Sequence, residues 1–127
     1  MAVSEGTWDL SSGSWDDLFG YRHVYIRNGL DNGTILTFHC KSKDDDLGIH
    51  TLNNDEEFKF QFRRNLFSNT VFCCNFTWNG ISHRFDIYNY KRDEIYCHDC
   101  YWSIKPQRPC GIRQKTRTYD ICRYDYY

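Results

Sequence analysis

Six consecutive residues, FKFQFR from Phe58 to Arg63, alternate strictly between aromatic and polar side chains. Successive side chains of a β-strand point to opposite faces of the sheet, so this period of two places all three phenylalanines on one face. A helix would spread the same three rings around its circumference. The segment therefore predicts a half-buried β-strand.

Similar alternation recurs in short segments that turn residues separate. The residues predicted to face inward are Val24, Ile26, Leu36, Phe38, Cys40, Phe72, Cys74, Phe76, Trp78, Phe85, Ile87, Cys100, Trp102 and Ile104. Asp31-Asn32-Gly33 predicts a hairpin between the first two strands, and Asn79-Gly80 predicts another, because Asn and Gly tolerate positive φ. About seven or eight short strands at this spacing predict an all-β fold, an antiparallel β-sandwich.

The length of 127 residues fits one domain. We predict a loosely ordered N-terminal arm over residues 1–20, the sandwich over residues 21–113 and a tyrosine-rich basic tail over residues 114–127. The arm is acidic and lacks the basic start and apolar run of a signal peptide, so we interpret the chain as a mature one. No apolar run reaches the roughly 18 residues that cross a bilayer. The net charge of -1 argues against a chain dominated by nucleic-acid or anionic-membrane binding.

Seven cysteines are many for a chain this short. A zinc site typically needs two cysteine or histidine pairs at suitable spacing, and the chain has one Cys-x-x-Cys, Cys97 to Cys100. Alternation turns the neighbours Cys73 and Cys74 to opposite faces, so we favour disulfides and expect no metal or cofactor. Disulfides, together with glycosylation sequons at Asn32 and Asn75, predict a secreted glycoprotein.

Catalytic motifs are weak. The chain has no nucleophile elbow, phosphate-binding glycine loop or spaced carboxylate pair, so we predict that it is not an enzyme. The alternative is a secreted hydrolase such as a ribonuclease, which would gather histidines in a cleft. The five candidates are His23, His39, His50, His83 and His98.

Two charged regions have alternative interpretations. Asp44, Asp45 and Asp46 could bind Ca²⁺, but the EF-hand spacing is absent, which favours a solvated loop. The basic and aromatic residues from Lys105 onward could bind single-stranded nucleic acid or a protein, of which we favour the protein, or could form a solvated tail in contact with nothing.

Several cysteine-containing and acidic segments, taken together, resemble one known family, the plant self-incompatibility proteins or S-protein homologues. The segments are HCKSKDDDLG (39–48), TVFCCNFTW (70–78), FDIY (85–88) and RDEIYCHDCYWSI (92–104), and the pieces IRNGL (26–30) and FKFQF (58–62) fit as well. The resemblance runs from about Val24 to Cys110. Cys74 matches the cysteine of the family, whereas Cys73 stands where the family usually has an aromatic residue.

The resemblance implies a secreted plant protein with a disulfide-bonded β-sandwich. One family member is a stigma ligand that a membrane receptor of pollen recognises. By this resemblance we expect a monomeric ligand of a plant cell-surface membrane protein, without nucleic-acid binding or direct membrane insertion. The alternatives are the hydrolase above and an antimicrobial or structural protein. We predict the partner contacts in two hydrophilic loops, at Asp44, Asp45, Asp46, Arg92 and Asp93.

Alternation also restricts the disulfide pairing. Cys40, Cys74 and Cys100 are predicted to face the core, and Cys110 lies beyond the last clear strand. Two schemes remain open, either Cys40–Cys110 with Cys74–Cys100, or the exchange of partners between these two bonds. Cys97–Cys122 would pin the tail, and Cys73 would be free and face outward.

Overall fold

Two β-sheets pack face to face in the computed structural model, which describes residues 2–4, 20–63, 69–94, 96–112, 118–119 and 121–127. The five-stranded sheet has the order β1-β5-β2-β8-β9, with β1 (Ala2–Ser4), β2 (Tyr21–Asn28), β5 (Glu57–Arg63), β8 (Asp99–Ile104) and β9 (Pro109–Gly111). The four-stranded sheet has the order β4-β3-β6-β7, with β3 (Leu36–Lys41), β4 (Asp46–Leu52), β6 (Val71–Trp78) and β7 (Ile81–Asn89). The predicted all-β, disulfide-bonded sandwich is confirmed.

One helical turn, α1 (Tyr90–Asp93), follows β7. Within the described ranges, no helix is long and apolar enough to span a membrane. The described residues form nine strands, more than the predicted seven or eight, because β1 and β9 have only three residues each, too few for a pattern to indicate them.

The phenylalanines of β5 form the centre of the core, as their alternation predicts. Phe58, Phe60 and Phe62 are at most 4% exposed. The rings of Phe60 and Phe62 lie 5.0 and 4.9 Å from the ring of Phe72 in the facing sheet. The other residues predicted to face inward are buried as well, except Trp78, which is half-buried.

The first predicted hairpin is wrong, because β2 and β3 belong to different sheets. Asn32 has the expected positive φ of 56°, but the buried Asn28 before it redirects the chain. The Asn28 amide donates to the carbonyls of Thr34 and Leu52 at 2.9 and 3.0 Å, and its Oδ1 accepts from the Leu30 N–H at 2.9 Å. These bonds hold the connection as an arch between the sheets.

The second predicted hairpin is confirmed: Asn79-Gly80 joins β6 to β7 with φ angles of 51° and 75°. A bulge in β7 then shifts the register, since Phe72 pairs with Tyr88 and Cys73 with Asp86. The extra residue allows adjacent Ile87 and Tyr88 to be buried together.

The predicted sheets are antiparallel, but β2 and β8 run parallel. Alternation indicates which face of a strand is buried and contains no information on the direction of its neighbour. The chain reaches β8 from the other sheet, through β7 and α1, and this crossover sets the parallel direction.

The predicted disulfide pairings are wrong. The structure has Cys40–Cys74, Cys97–Cys100 and Cys110–Cys122, and leaves Cys73 free. The reason is strand pairing, because Cys40 and Cys74 lie directly opposite each other on β3 and β6, with Cα atoms 4.0 Å apart. Neither Cys40 nor Cys74 can then bond Cys100 or Cys110, as both schemes required.

Residues 121–127, predicted as part of a tail, return to the sandwich. Ile121 forms a β-bridge with Gly111 at the edge of the five-stranded sheet. The backbone of Tyr127 exchanges two hydrogen bonds of 2.8 and 3.2 Å with Arg84 at the edge of the four-stranded sheet. Residues 121–127 therefore contact both sheets, and the predicted boundary at residue 113 stays a prediction, since residues 113–117 and 120 lie outside the described residues. Of the predicted arm, Ala2–Ser4 form β1, and residues 5–19 lie outside them too.

Candidate functional site

The strand register places both predicted contact loops at one end of the sandwich. Lys41 at the end of β3 lies opposite Cys73, near the start of β6. Val71, the first residue of β6, lies opposite Asn89 at the end of β7. The loop after β3 and the helix after β7 therefore project from the same end, separated by roughly 10–15 Å for two to three strand spacings. We call residues 42–46, 90–94 and 96–98 the loop end.

The acidic part of the loop end is held by short-range hydrogen bonds. The Ser42 N–H donates to the Asp45 carbonyl at 2.8 Å, and the Asp45 N–H donates to Ser42 Oγ at 3.1 Å. Asp46 Oδ1 accepts from the Gly48 N–H at 2.9 Å and lies 2.5 Å from His39 Nε2. The carboxylates of Asp44 and Asp45 make no hydrogen bond to the described part of the chain.

Both contacts on Asp46 stabilise its charged form. They lower the pKa of Asp46, the Gly48 N–H contributing more than His39. A carboxylate whose folded pKa is depressed stabilises the fold above its unfolded pKa and loses that contribution as pH falls through its folded pKa. We expect an NMR titration of the Asp46 carboxyl carbon to give a midpoint below the ordinary aspartate value of about 3.9. His39→Asn should raise this midpoint only in part, and a wild-type midpoint at or above the ordinary value would contradict the geometry.

Of the predicted partner contacts Arg92 and Asp93, Asp93 is buried and Arg92 is partly buried. The guanidinium carbon of Arg92 lies 4.9, 4.8 and 5.1 Å from the ring centroids of Phe85, Trp102 and Tyr124. Two hydrogen bonds of 2.7 and 2.6 Å join the guanidinium to the Asp93 carboxylate, and Asp93 is 5% exposed. Aromatic rings and their own ion pair therefore occupy much of these two side chains, and their contact with a partner stays a prediction.

Asn89 and the Asp93 carboxylate cap the helical turn that presents the exposed residues. The Asn89 side chain accepts from the Lys91 N–H at 3.1 Å, and the Asn89 N–H donates to Asp93 Oδ2 at 2.9 Å. This reciprocal capping satisfies donors at the start of α1. Lys91 then faces solvent, and Tyr96 beyond the turn is 75% exposed. Neither residue is among the predicted partner contacts, although Lys91 lies in the same predicted contact loop as Arg92 and Asp93.

The five histidines have different surroundings. Both ring nitrogens of the buried His23 are engaged, Nδ1 with Asp99 at 2.7 Å and Nε2 with Gln61 at 3.0 Å. The backbone N–H of His23 donates to the His98 carbonyl at 2.9 Å, so the exposed His98 lies beside it, just before β8. The other three lie on the four-stranded sheet: His39 beside Asp46, His50 against Phe38 and Phe58, and His83 stacked on Trp78. No group of three or more His, Cys, Asp or Glu residues in the described ranges could hold a metal ion.

The two sequon asparagines are both exposed and lie away from the loop end. Asn32 lies in the arch before β3, at the opposite end of the sandwich. Asn75 lies in the middle of β6, on the outer face of the four-stranded sheet.

Comparison with known proteins identifies the family. Residues 23–124 match the family described as plant self-incompatibility protein S1. In Arabidopsis thaliana, S-protein homolog 5 is 44% identical over 96 residues, which cover 76% of this chain and 75% of that protein. S-protein homolog 2 is 42% identical over 106 residues, which cover 80% of this chain and 66% of that protein. S-protein homolog 3 is 43% identical over 107 residues, which cover 81% of this chain and 71% of that protein.

No solved structure matches the chain. The family match nevertheless includes every strand from β2, apart from its first two residues, to β9, all three disulfides and the C-terminal segment as far as Tyr124. The chain therefore belongs to the plant self-incompatibility protein S1 family.

Proposed function

We propose that this protein is a secreted ligand that binds a plant cell-surface membrane protein through its loop end, and that it acts by binding rather than by catalysis. The observation that carries the proposal is a rigid sandwich presenting Asp44 and Asp45, whose carboxylates have no hydrogen-bond partner among the described residues. Family membership and three disulfides, which persist in oxidising compartments, support secretion.

The loop end has the chemistry of a protein-binding surface. Acidic side chains at a loop tip steer a partner with complementary basic charge and set the binding orientation. Tyr96 adds a large, exposed aromatic ring, a residue type enriched among the side chains that contribute most to binding. We infer a partner whose basic groups face Asp44 and Asp45 and whose apolar pocket receives Tyr96.

The histidine geometry does not favour the hydrolase alternative. A general base needs a ring nitrogen that can accept a proton from the substrate. In the five-stranded sheet, the Asp99 carboxylate orients the His23 ring as it would orient a general base. However, His23 is buried and both its ring nitrogens already have partners.

A binding assay on plant plasma-membrane preparations tests the proposal. Labelled, oxidised protein should bind saturably, and Asp44→Lys with Asp45→Lys should weaken binding roughly tenfold or more, about 1.4 kcal/mol. Tyr96→Ala should weaken it by a similar factor. The matched control is Asp31→Lys, because Asp31 is exposed at the opposite end of the sandwich and should leave affinity unchanged within about twofold.

Circular dichroism and thermal unfolding show whether each variant keeps the fold. Wild-type affinity in both the double aspartate variant and Tyr96→Ala would contradict the loop end as the binding surface. Weakening by Asp31→Lys alone would place the surface at the other end, and a lack of saturable binding would contradict the ligand function.

A further inference from the structure

We infer that Asn75 carries an N-linked oligosaccharide and that this oligosaccharide shields the Cys73 thiol on the outer face of the four-stranded sheet. The inference rests on the secretion that the proposed function includes, since sequons are glycosylated in secreted proteins. It adds a modification site and assigns it a protective role.

The fold leaves space for a modification at Asn75. Its side chain is exposed at the centre of the sheet and makes no hydrogen bond to any residue that the structure describes. Its neighbours across the sheet are His39 on β3 and Arg84 on β7. Phe76, the middle residue of the sequon, points the other way and is fully buried. An oligosaccharide on Asn75 therefore extends into solvent without displacing the core.

Cys73 lies on the same face, two residues earlier in β6. Residues i and i+2 of a strand are about 7 Å apart, so the thiol lies directly beside the base of the oligosaccharide. On its other side, Cys73 Sγ lies 3.6 Å from the Tyr127 hydroxyl, which also contacts Asp86. The thiol is half-buried between the Tyr127 ring and the Asn75 position.

The need for shielding follows from the cysteine count. The other six cysteines are paired, so Cys73 is the one thiol that can react. In an oxidising compartment an unpaired thiol forms disulfides with other molecules. A bulky polar group beside it excludes a second protein but admits small reagents, and this difference can be measured.

The modification is the transfer of an oligosaccharide from a lipid carrier to the Asn75 side chain. The Asn75 Nδ2 forms a bond to the anomeric carbon of an oligosaccharide that is carried on a lipid pyrophosphate. The bond from that carbon to the pyrophosphate oxygen breaks, the amide loses one proton and the lipid pyrophosphate leaves. No atom is oxidised or reduced.

The test uses the full chain, fused to a secretion leader and produced in plant cells. Enzymatic deglycosylation converts a glycosylated asparagine to aspartate, and mass spectrometry should find this conversion at Asn75 in the wild type and in Asn32→Gln. The rate of Cys73 alkylation by a polymer-linked maleimide, divided by the rate with iodoacetamide, should be several-fold lower before deglycosylation than after it. Asn75→Gln should form disulfide-linked dimers, and Cys73→Ser in that background should abolish them.

Three outcomes would overturn the inference. Secreted protein with an unmodified Asn75 and normal membrane binding contradicts the glycosylation alone and leaves the proposed function intact. A modified Asn75 with the same alkylation ratio before and after deglycosylation contradicts the shielding. Dimers of Asn75→Gln that persist without Cys73 exclude this thiol as their cause. A modified Asn75 in protein that binds no membrane contradicts the proposed function and supports this inference.

Discussion

Replacing Cys40 and Cys74 together with alanine should lower the free energy of unfolding by about 4 kcal/mol. The bond between them closes the longest loop of the three disulfides, with a sequence separation of 34. A cross-link removes unfolded-state entropy that grows with the logarithm of loop length. Both residues are fully buried, so the alanines also lose packing at the centre of the sandwich. Guanidinium unfolding, followed by tryptophan fluorescence, measures the change.

The matched control removes the Cys97–Cys100 bond, whose cysteines are separated by 3 positions in the sequence. The same relation gives about 2 kcal/mol for this short loop. Equal losses of unfolding free energy in the two double variants would contradict the prediction that the bond closing the longer loop contributes more. Peptide mapping under non-reducing conditions should also recover Cys40 linked to Cys74, and a peptide linking Cys40 to Cys100 or Cys110 would contradict the pairing.

Arg92→Met should lower the free energy of unfolding by about 3 kcal/mol. The substitution keeps an unbranched side chain between the aromatic rings but leaves the buried Asp93 carboxylate without its cation. A buried charge that loses its partner retains its desolvation penalty, and this is the main cause of the loss. Urea unfolding at neutral pH measures the change.

Two further variants separate charge from packing. Arg27→Met breaks an ion pair with Asp55 whose side chains are 39% and 75% exposed, so it should cost less than about 1 kcal/mol. Arg92→Met combined with Asp93→Asn should recover part of the loss, because no charge then remains buried. A loss in Arg92→Met no larger than that in Arg27→Met would show that the buried pair contributes little.

Local pattern predicted the faces of the strands but not their partners. The period of two in Phe58, Phe60 and Phe62 depends only on neighbouring residues, and the structure buries all three. The partner of β2 depends instead on Asn28, whose side chain reaches Leu52, 24 residues away, and directs the chain to the other sheet. The predicted disulfide pairing was wrong for the same reason. The correct pairing depends on β3 and β6 being neighbours, which the local pattern does not show.

For the candidate site too, the sequence predicted what local residues determine and not what distant residues determine. Asp44 and Asp46 are exposed and Asp45 is half-buried, close to what a charged run without apolar residues predicts. Arg92 looks equally hydrophilic, but it is partly covered by Tyr124, whose ring contacts the guanidinium from a distant part of the chain. One local signal was available, since Asn89 is a residue type preferred at the N-cap and its side chain accepts from the Lys91 N–H.

The segment from Ile121 to Tyr127 has a consequence for self-assembly. Unpaired edge strands are the places where sheets of separate molecules join, and this segment occupies backbone positions at the edges of both β9 and β7. On the opposite side, β4 is the edge of its sheet, and a register shift between His39 and Lys41 interrupts its pairing with β3 near the Asp46 carboxylate. Among the described residues, these features leave the β9, β7 and β4 edges less open to backbone pairing with the sheet of another molecule.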